Sequence, residues 1–381
     1  MGRRRGEDGT GPRRRIPRRD FLKYALASGG VALTGYLGWT LLRPSPPDTS
    51  GCAHTREEAL TVQEGNVSAT GVRKDSIPSI DAPRFVTAEE ASAFVADEHI
   101  VFGLAAEGVV RAYPQRILVW HEIVNDTGGA APLAITYCPL TGSQVAYRRA
   151  PAGAEPLTFG VTGGLVNSNL LMYDRQTDSS WPQIFGHSIR GPLRGTRLEA
   201  LPLAWTTWAR WRVRYPETEV LSTETGFLRN YQGDPYGSYD PLRGYYADAL
   251  VRFRVVCRDD RFHPKQPFVG LAEANDAVAV DLDRLRADRV TNTTLAGQPV
   301  VFLHDPGLDA PRAYRAVGDP GPLHLTWEGA FVDRETGSRW SPDGVATEGP
   351  LAGGRLEELP AMNVMWFAWA AFHPWTRVLP A

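Results

Sequence analysis

GPLRGTRLEALP at Gly191–Pro202 returns as GPLAGGRLEELP at Gly349–Pro360, and MYDRQTDSSW at Met172–Trp181 returns as FVDRETGSRW at Phe331–Trp340. Working outward, Gly103-Leu104-Ala105 recurs as Gly270-Leu271-Ala272. The same offset then carries Asn125 to Asn292, Pro132 to Pro299, Pro139 to Pro306 and Ala146-Tyr147-Arg148 to Ala313-Tyr314-Arg315. Trp208, Trp211 and Pro216 return as Trp366, Trp369 and Pro374. Self-similarity at this scale reads as two tandem copies of one supersecondary unit, the second degraded. What both copies keep reads as scaffold; what one copy lost is a candidate for chemistry.

Short β-type runs between Gly, Pro and Asn-Asp turns dominate the first copy: Ile100–Leu104, Val109–Tyr113, Leu133–Tyr137, Gln144–Arg149 and Leu170–Tyr173. A helix is expected over Trp205–Tyr215, with its indoles on one face, and an equivalent one over Met365–Phe372. The expected fold is α+β and β-dominated: two pseudo-symmetric tandem repeats of short antiparallel strands, each closed by one Trp-bearing helix. Repeat one covers 100–222 and repeat two 267–381, with a Tyr/Gly/Pro-rich insert at 223–266 between them. Before them lie a signal or anchor (1–43), a polar tether (44–70) and an entry segment (71–99). The entry segment holds a short helix from Thr87 to Asp97, with Thr87 as N-cap and Glu90 three residues on.

Residues 1–43 carry ten Lys/Arg against three Asp/Glu, leaving 31 against 40 for the rest. A folded part that acidic, without a basic run, speaks against nucleic acid as a partner. Arg18-Arg19-Asp20-Phe21-Leu22-Lys23 fits a twin-arginine export signal, and the apolar run Tyr24–Leu42 follows it. At about 1.5 Å per residue those nineteen residues reach roughly 28 Å, near a hydrocarbon core. The expectation is an uncleaved membrane anchor with the globular part facing the periplasm or cell exterior; lipidation at Cys52 is the lesser option. Three cysteines are no disulfide framework, though one Cys138–Cys257 bridge stays open.

Asp174/Asp333, Arg175/Arg334, Thr177/Thr336 and Trp181/Trp340 occur in both copies and read as a structural turn with an Asx-type cap and a local ion pair. Three features belong to the first copy alone. His121-Glu122 becomes Asp288-Arg289, Cys138 becomes Asp305, and Gly163–Leu171 (GGLVNSNLL) has no counterpart. A thiol where a strand enters a loop suits a nucleophile, a redox centre or a soft metal ligand, or else a small buried hydrophobe. His121 is a ligand, a base or a satisfied core histidine. Asn167, Ser168 and Asn169 offer polar groups for a substrate, or turn chemistry. His187 and His263 are further ligand candidates, and a further His or Met172 completes a coherent copper-type set with His121 and Cys138, although the spacing matches no recognised metal signature.

KDSIPSID (74–81), WHEIVND (120–126), TYCPLTGS (136–143), NSNLLMYDRQT (167–177), GPLRGTRL (191–198) and RDDRFHPK (258–265), in that order, resemble the bacterial and archaeal domain-of-unknown-function family 3179. The resemblance implies an exported or membrane-tethered protein and supplies no activity. Many members carry a second cysteine where this chain has Thr141, which turns Cys138 toward a ligand or lone-thiol role. Two functions follow as expectations. One is a metal- or thiol-dependent redox enzyme at a repeat-one pocket. Cys138, His121 and Glu122 are its catalytic set, Asn167, Ser168 and Asn169 its substrate contacts, and Cys138, His121 and His263 its ligands for copper or another transition metal. The other is a cell-surface module that binds a glycan or partner protein through the insert tyrosines Tyr231, Tyr236, Tyr239, Tyr245 and Tyr246.

Overall fold

Leu133–Cys138 and Asn169–Asp174 are buried at every residue, which is why their sequences run apolar without alternation. The computed structural model describes residues 52–379 except 54, 152–154, 240–241 and 320. It is β-dominated, 40% strand and 13% helix, with many small antiparallel sheets. The described residues fall within one compact unit that starts at Pro47. Six helices occur among them: α1 (Arg56–Gly65), α2 (Ala88–Ala91), α3 (Gln115–His121), α4 (Trp208–Arg214), α5 (Leu282–Asp288) and α6 (Trp366–Phe372).

In the first half, strands Ala204–Thr207, Ile100–Ala106, Val109–Pro114 and Glu219–Leu221 lie side by side in that order, and Phe85–Val86 adds an edge. In the second half the order is Met362–Met365, Pro267–Glu273, Asp276–Asp281 and Arg377–Val378. The Glu219 strand joins Val109–Pro114 in parallel, as the Arg377 strand joins Asp276–Asp281, while the other pairs are antiparallel. Trp211 packs so close to Gly103 that a Cβ there would sit 2.2 Å from its ring, and Trp369 does the same over Gly270 at 2.4 Å. Only glycine admits those indoles. Each is fixed by its ring N–H, donated to Thr218 Oγ1 at 3.0 Å and to Thr376 Oγ1 at 2.9 Å.

Several expectations need correcting. The Trp-bearing helices begin later than the indole spacing suggests. Trp205 is on a strand, paired with Phe102 across the sheet, and α4 starts at Trp208. The β-branched Thr206-Thr207 pair extends the strand at the helix's expense. Of the expected Thr87–Asp97 helix only Ala88–Ala91 forms, with the capping box as expected. Helices α3 and α5 were not foreseen; at seven residues each they are too short for a helical period to stand out.

The expected tether is folded from residue 55 on. Thr55 Oγ1 caps α1 by accepting from Glu58 N at 3.2 Å, Ala59 and Gln63 are buried, and Ser68–Ala69 pairs with Leu165–Gly164. Cys52 forms a disulfide with Cys257, so the Cys138–Cys257 alternative fails and Cys138 is the free thiol. A sulfur held in that bond is also closed to lipidation. Among the described residues no helix is long and apolar enough to cross a membrane; the export motif and Tyr24–Leu42 lie outside them.

The unmatched segment Gly163–Leu171 has a simple form. It lengthens one hairpin, Phe159–Val166 with Asn169–Asp174, whose partner in the second half is the short pair Leu325–Trp327 with Phe331–Asp333. The extra length carries the tip to α1, to the insert and to α6.

Candidate functional site

Helix α3 ends at Glu122, whose backbone turns left-handed (φ 59°). Its N–H reaches Leu118 O at 2.7 Å, and its carbonyl accepts from Tyr137 N at 2.9 Å. Strand Leu133–Cys138 runs alongside and delivers Cys138 to its end. The Glu122 side chain is 8% exposed. Burial lifts its carboxyl to about 8, so at neutral pH it is a neutral acid.

Cys138 is 1% exposed. Its thiol is pushed up to about 11, first by burial and then by the Glu122 charge. The sulfur accepts from Leu170 N at 3.3 Å and lies 3.9 Å from Ser168 O. A thiolate is therefore scarce at rest, and Glu122, which already holds its own proton at neutral pH, is placed to donate rather than to accept.

The insert walls this pair. Burial raises the Tyr236 phenol well above its usual range, and the charges of Glu122 and Cys138 raise it further. Tyr245 donates to Leu140 O at 2.7 Å, and Lys265 Nζ stands 3.4 Å above the Tyr245 ring, where burial pulls its ammonium down to about 8. Next to them Tyr137 OH meets Tyr239 OH at 2.8 Å and Tyr246 OH at 3.1 Å. Gln115 Nε2 and Tyr246 OH both donate to Asp234 Oδ2, at 2.7 and 2.9 Å. Gln115, Asp234 and Lys265 were not foreseen in this role; the sequence offered only the insert's lack of a counterpart.

The other expected site residues go elsewhere. Both His121 nitrogens are engaged: Nδ1–H donates to Pro78 O at 2.7 Å, and Nε2 accepts from Tyr231 OH at 2.6 Å. Burial holds its pKa at about 4, so it is a neutral, satisfied core histidine. Asn167 Oδ1 accepts from Val256 N at 2.9 Å and its Nδ2 donates to Gln63 Oε1 at 2.8 Å; Ser168 Oγ donates to Phe253 O at 3.1 Å. Asn169 is saturated by Thr141, Gln183 and Ile184 N. With φ of 51° and 62°, Asn167 and Ser168 form the hairpin's turn, so this trio fastens segments together rather than greeting a substrate.

The proposed metal set does not fit either. Exposed His263 accepts from Lys265 N at 3.3 Å, Met172 is packed in the core, and no three His, Cys, Asp or Glu side chains among the described residues converge. Nothing here offers copper a donor set.

Asp174 and Asp333 confirm the structural reading. Each accepts from the Thr three residues on and from a Trp ring N–H seven residues on. The local ion pair is absent, because Arg175 turns instead to Asp75 and Asp81. In the second half, Asp305 caps Gly307 N with Oδ1 at 2.8 Å, while its Oδ2 lies 3.8 Å from Arg312 and has no hydrogen-bond partner among the described residues.

Residues 74–376 match the family described as "Protein of unknown function (DUF3179)". The chain belongs to this family. No curated protein and no solved structure matches it. The match spans both halves and the insert that closes over Cys138, so the membership rests on the whole scaffold.

Proposed function

We propose that the protein is an exported, membrane-tethered enzyme whose first half works through an acid–thiol centre, Glu122 and Cys138, roofed by the tyrosines of the insert. The observation that carries the reading is the Glu122 carboxyl, only 8% exposed and close enough to the free thiol of Cys138 for its charge to act there. A carboxyl kept neutral by its surroundings beside a thiol is a pairing that concentrates where chemistry needs it. Glu122 supplies or takes a proton; Cys138 is the nucleophile once a substrate favours its thiolate. The second half descends from the same ancestral unit by duplication and serves as scaffold, since Arg289 and Asp305 stand in the two positions. Export is supported by the twin-arginine motif and by a disulfide that suits an oxidising compartment.

Iodoacetamide labelling of the native protein followed by mass spectrometry tests this. Cys138 should react far faster than global unfolding allows, and above pH 8, where Glu122 carries its charge, faster still in Glu122→Gln. Labelling only at the unfolding rate would make the sulfur inert core and end the enzymatic reading.

One observation favours a second reading, a binding module. Phe227, Leu228, Leu242 and Leu250 are large exposed apolar side chains of the insert, Leu228 at 98%. A surface of that kind suits a partner protein.

A further inference from the structure

The insert brings phenols and an indole into contact beside one carboxylate. The Tyr246 ring stacks on the Tyr239 ring (3.9 Å between centroids, 23° between planes), and the Trp205 ring meets Tyr239 edge-on at 4.9 Å. Trp205 and Tyr239 are half-buried, whereas Tyr246 is only 4% exposed. A run of touching aromatic rings therefore leads from the surface to a buried phenol.

Hydrogen bonds give this run a direction. Tyr246 OH donates to Asp234 Oδ2 at 2.9 Å, and the same carboxylate accepts from Gln115 Nε2 at 2.7 Å and from Tyr236 N at 2.7 Å. Three accepted hydrogen bonds suit an ionised carboxylate. Burial raises its carboxyl above the usual range, which makes it a stronger base. A phenol has one proton to give, so Tyr137 OH donates to Tyr246 at 3.1 Å and Tyr239 OH to Tyr137 at 2.8 Å. Of these three phenols, Tyr246 alone donates to a carboxylate. The Tyr245 ring also lies 6.1 Å from Tyr246, but its hydroxyl donates to a carbonyl, Leu140 O, and Lys265 Nζ sits 3.4 Å above its ring. An ammonium so placed opposes the removal of an electron from that ring.

We propose that Tyr246 is a tyrosyl-radical site, oxidised through Tyr239 and Trp205 by a strong outer-sphere one-electron oxidant acting at the protein surface. One electron leaves Tyr246 and reaches the oxidant by way of the Tyr239 and Trp205 rings. The Tyr246 O–H bond breaks with it, and the proton passes along the hydrogen bond to Asp234. The products are a neutral phenoxyl radical, a neutral carboxylic acid and the oxidant reduced by one electron. No new charge is left in the core, where it would be costly. An electron from a one-electron reductant, with the Asp234 proton, restores the phenol. This relay stands apart from the acid–thiol reading and needs neither Glu122 nor Cys138.

Flash photolysis of the full chain with ruthenium tris(bipyridine) and an irreversible cobalt(III) quencher, read by transient absorption and by electron paramagnetic resonance of frozen samples, tests the proposal. A long-lived phenoxyl radical is expected in the wild type. Tyr246→Phe, which keeps the ring and its packing, should lose that signal. Asp234→Asn, without the base, should shorten its lifetime. The double substitution Trp205→Phe/Tyr239→Phe should lose most of the yield while circular dichroism stays that of the wild type. A long-lived signal unchanged in Tyr246→Phe, or equal yields in the wild type and the double variant, would overturn the proposal, as would the absence of any long-lived radical in the wild type.

Discussion

Glu122 and Arg289 both take positive φ (59° and 71°) at the end of a seven-residue helix, so this turn does not depend on a carboxyl. The acid then leaves a signature in stability. In the folded protein it titrates near 8 against 4.5 for an ordinary glutamate, so it keeps a proton that the unfolded chain releases. Folding stability from this group is full below about pH 4.5 and falls as pH climbs to 8. The slope is about 1.4 kcal/mol per pH unit, or close to 5 kcal/mol in all. Glu122→Gln removes that slope and leaves the other titrations in place. Urea unfolding of both proteins at pH 5 and pH 8.5 should show the variant gaining several kcal/mol relative to wild type at the higher pH. An unchanged difference between the two pH values would mean the carboxyl is not isolated.

At the scale of elements, what could be read from the chain follows from how locally each feature is encoded. The Thr87/Glu90 capping box, the five expected strands of residues 100–173 and the Asp174-to-Trp181 turn are written in contiguous residues, and they form where the local sequence placed them. The partners of Cys138 are not. Its amide donor, Leu170, follows 32 residues later, and its acid, Glu122, becomes a neighbour only because α3 ends in a left-handed turn. His121 misled for the same reason: its partners, Pro78 and Tyr231, lie 43 and 110 residues away. The Cys52–Cys257 bridge, 205 residues long, is equally invisible to spacing and yet fastens α1 beside the insert. Closing a loop of that length stabilises by about 5 kcal/mol in the chain-entropy picture. The double substitution Cys52→Ser/Cys257→Ser should therefore lower the urea midpoint clearly. Limited proteolysis should then cut first within residues 52–66. Wild-type resistance of that segment would show that α1 is held by packing alone.

Across the whole molecule, His121, His187 and His373 are buried in three different settings, yet all three titrate far below 6.5, at about 4, about 4 and about 3. Burial is the largest cause in each. Their folded pKa is depressed, so the unfolded chain takes up protons first. Their contribution is complete above pH 6.5 and drains away as pH falls toward 4, by about 1.4 kcal/mol per pH unit for each. Glu122 works in the opposite sense over much of that range, gaining stability as pH falls, so the net loss has the weight of about two groups. Between pH 6.5 and 5 this amounts to roughly 4 kcal/mol, a large share of the 5–15 kcal/mol typical of a folded protein. A steep loss of melting temperature is thus expected from pH 6.5 to 5, followed by scanning calorimetry. His121→Gln, which keeps a hydrogen-bonding side chain without a titrating ring, should make that loss shallower by about a third to a half. Wild-type stability constant across this window would show that these rings are protonated within the fold, and with it the assignment of His121 as a neutral core residue would fall.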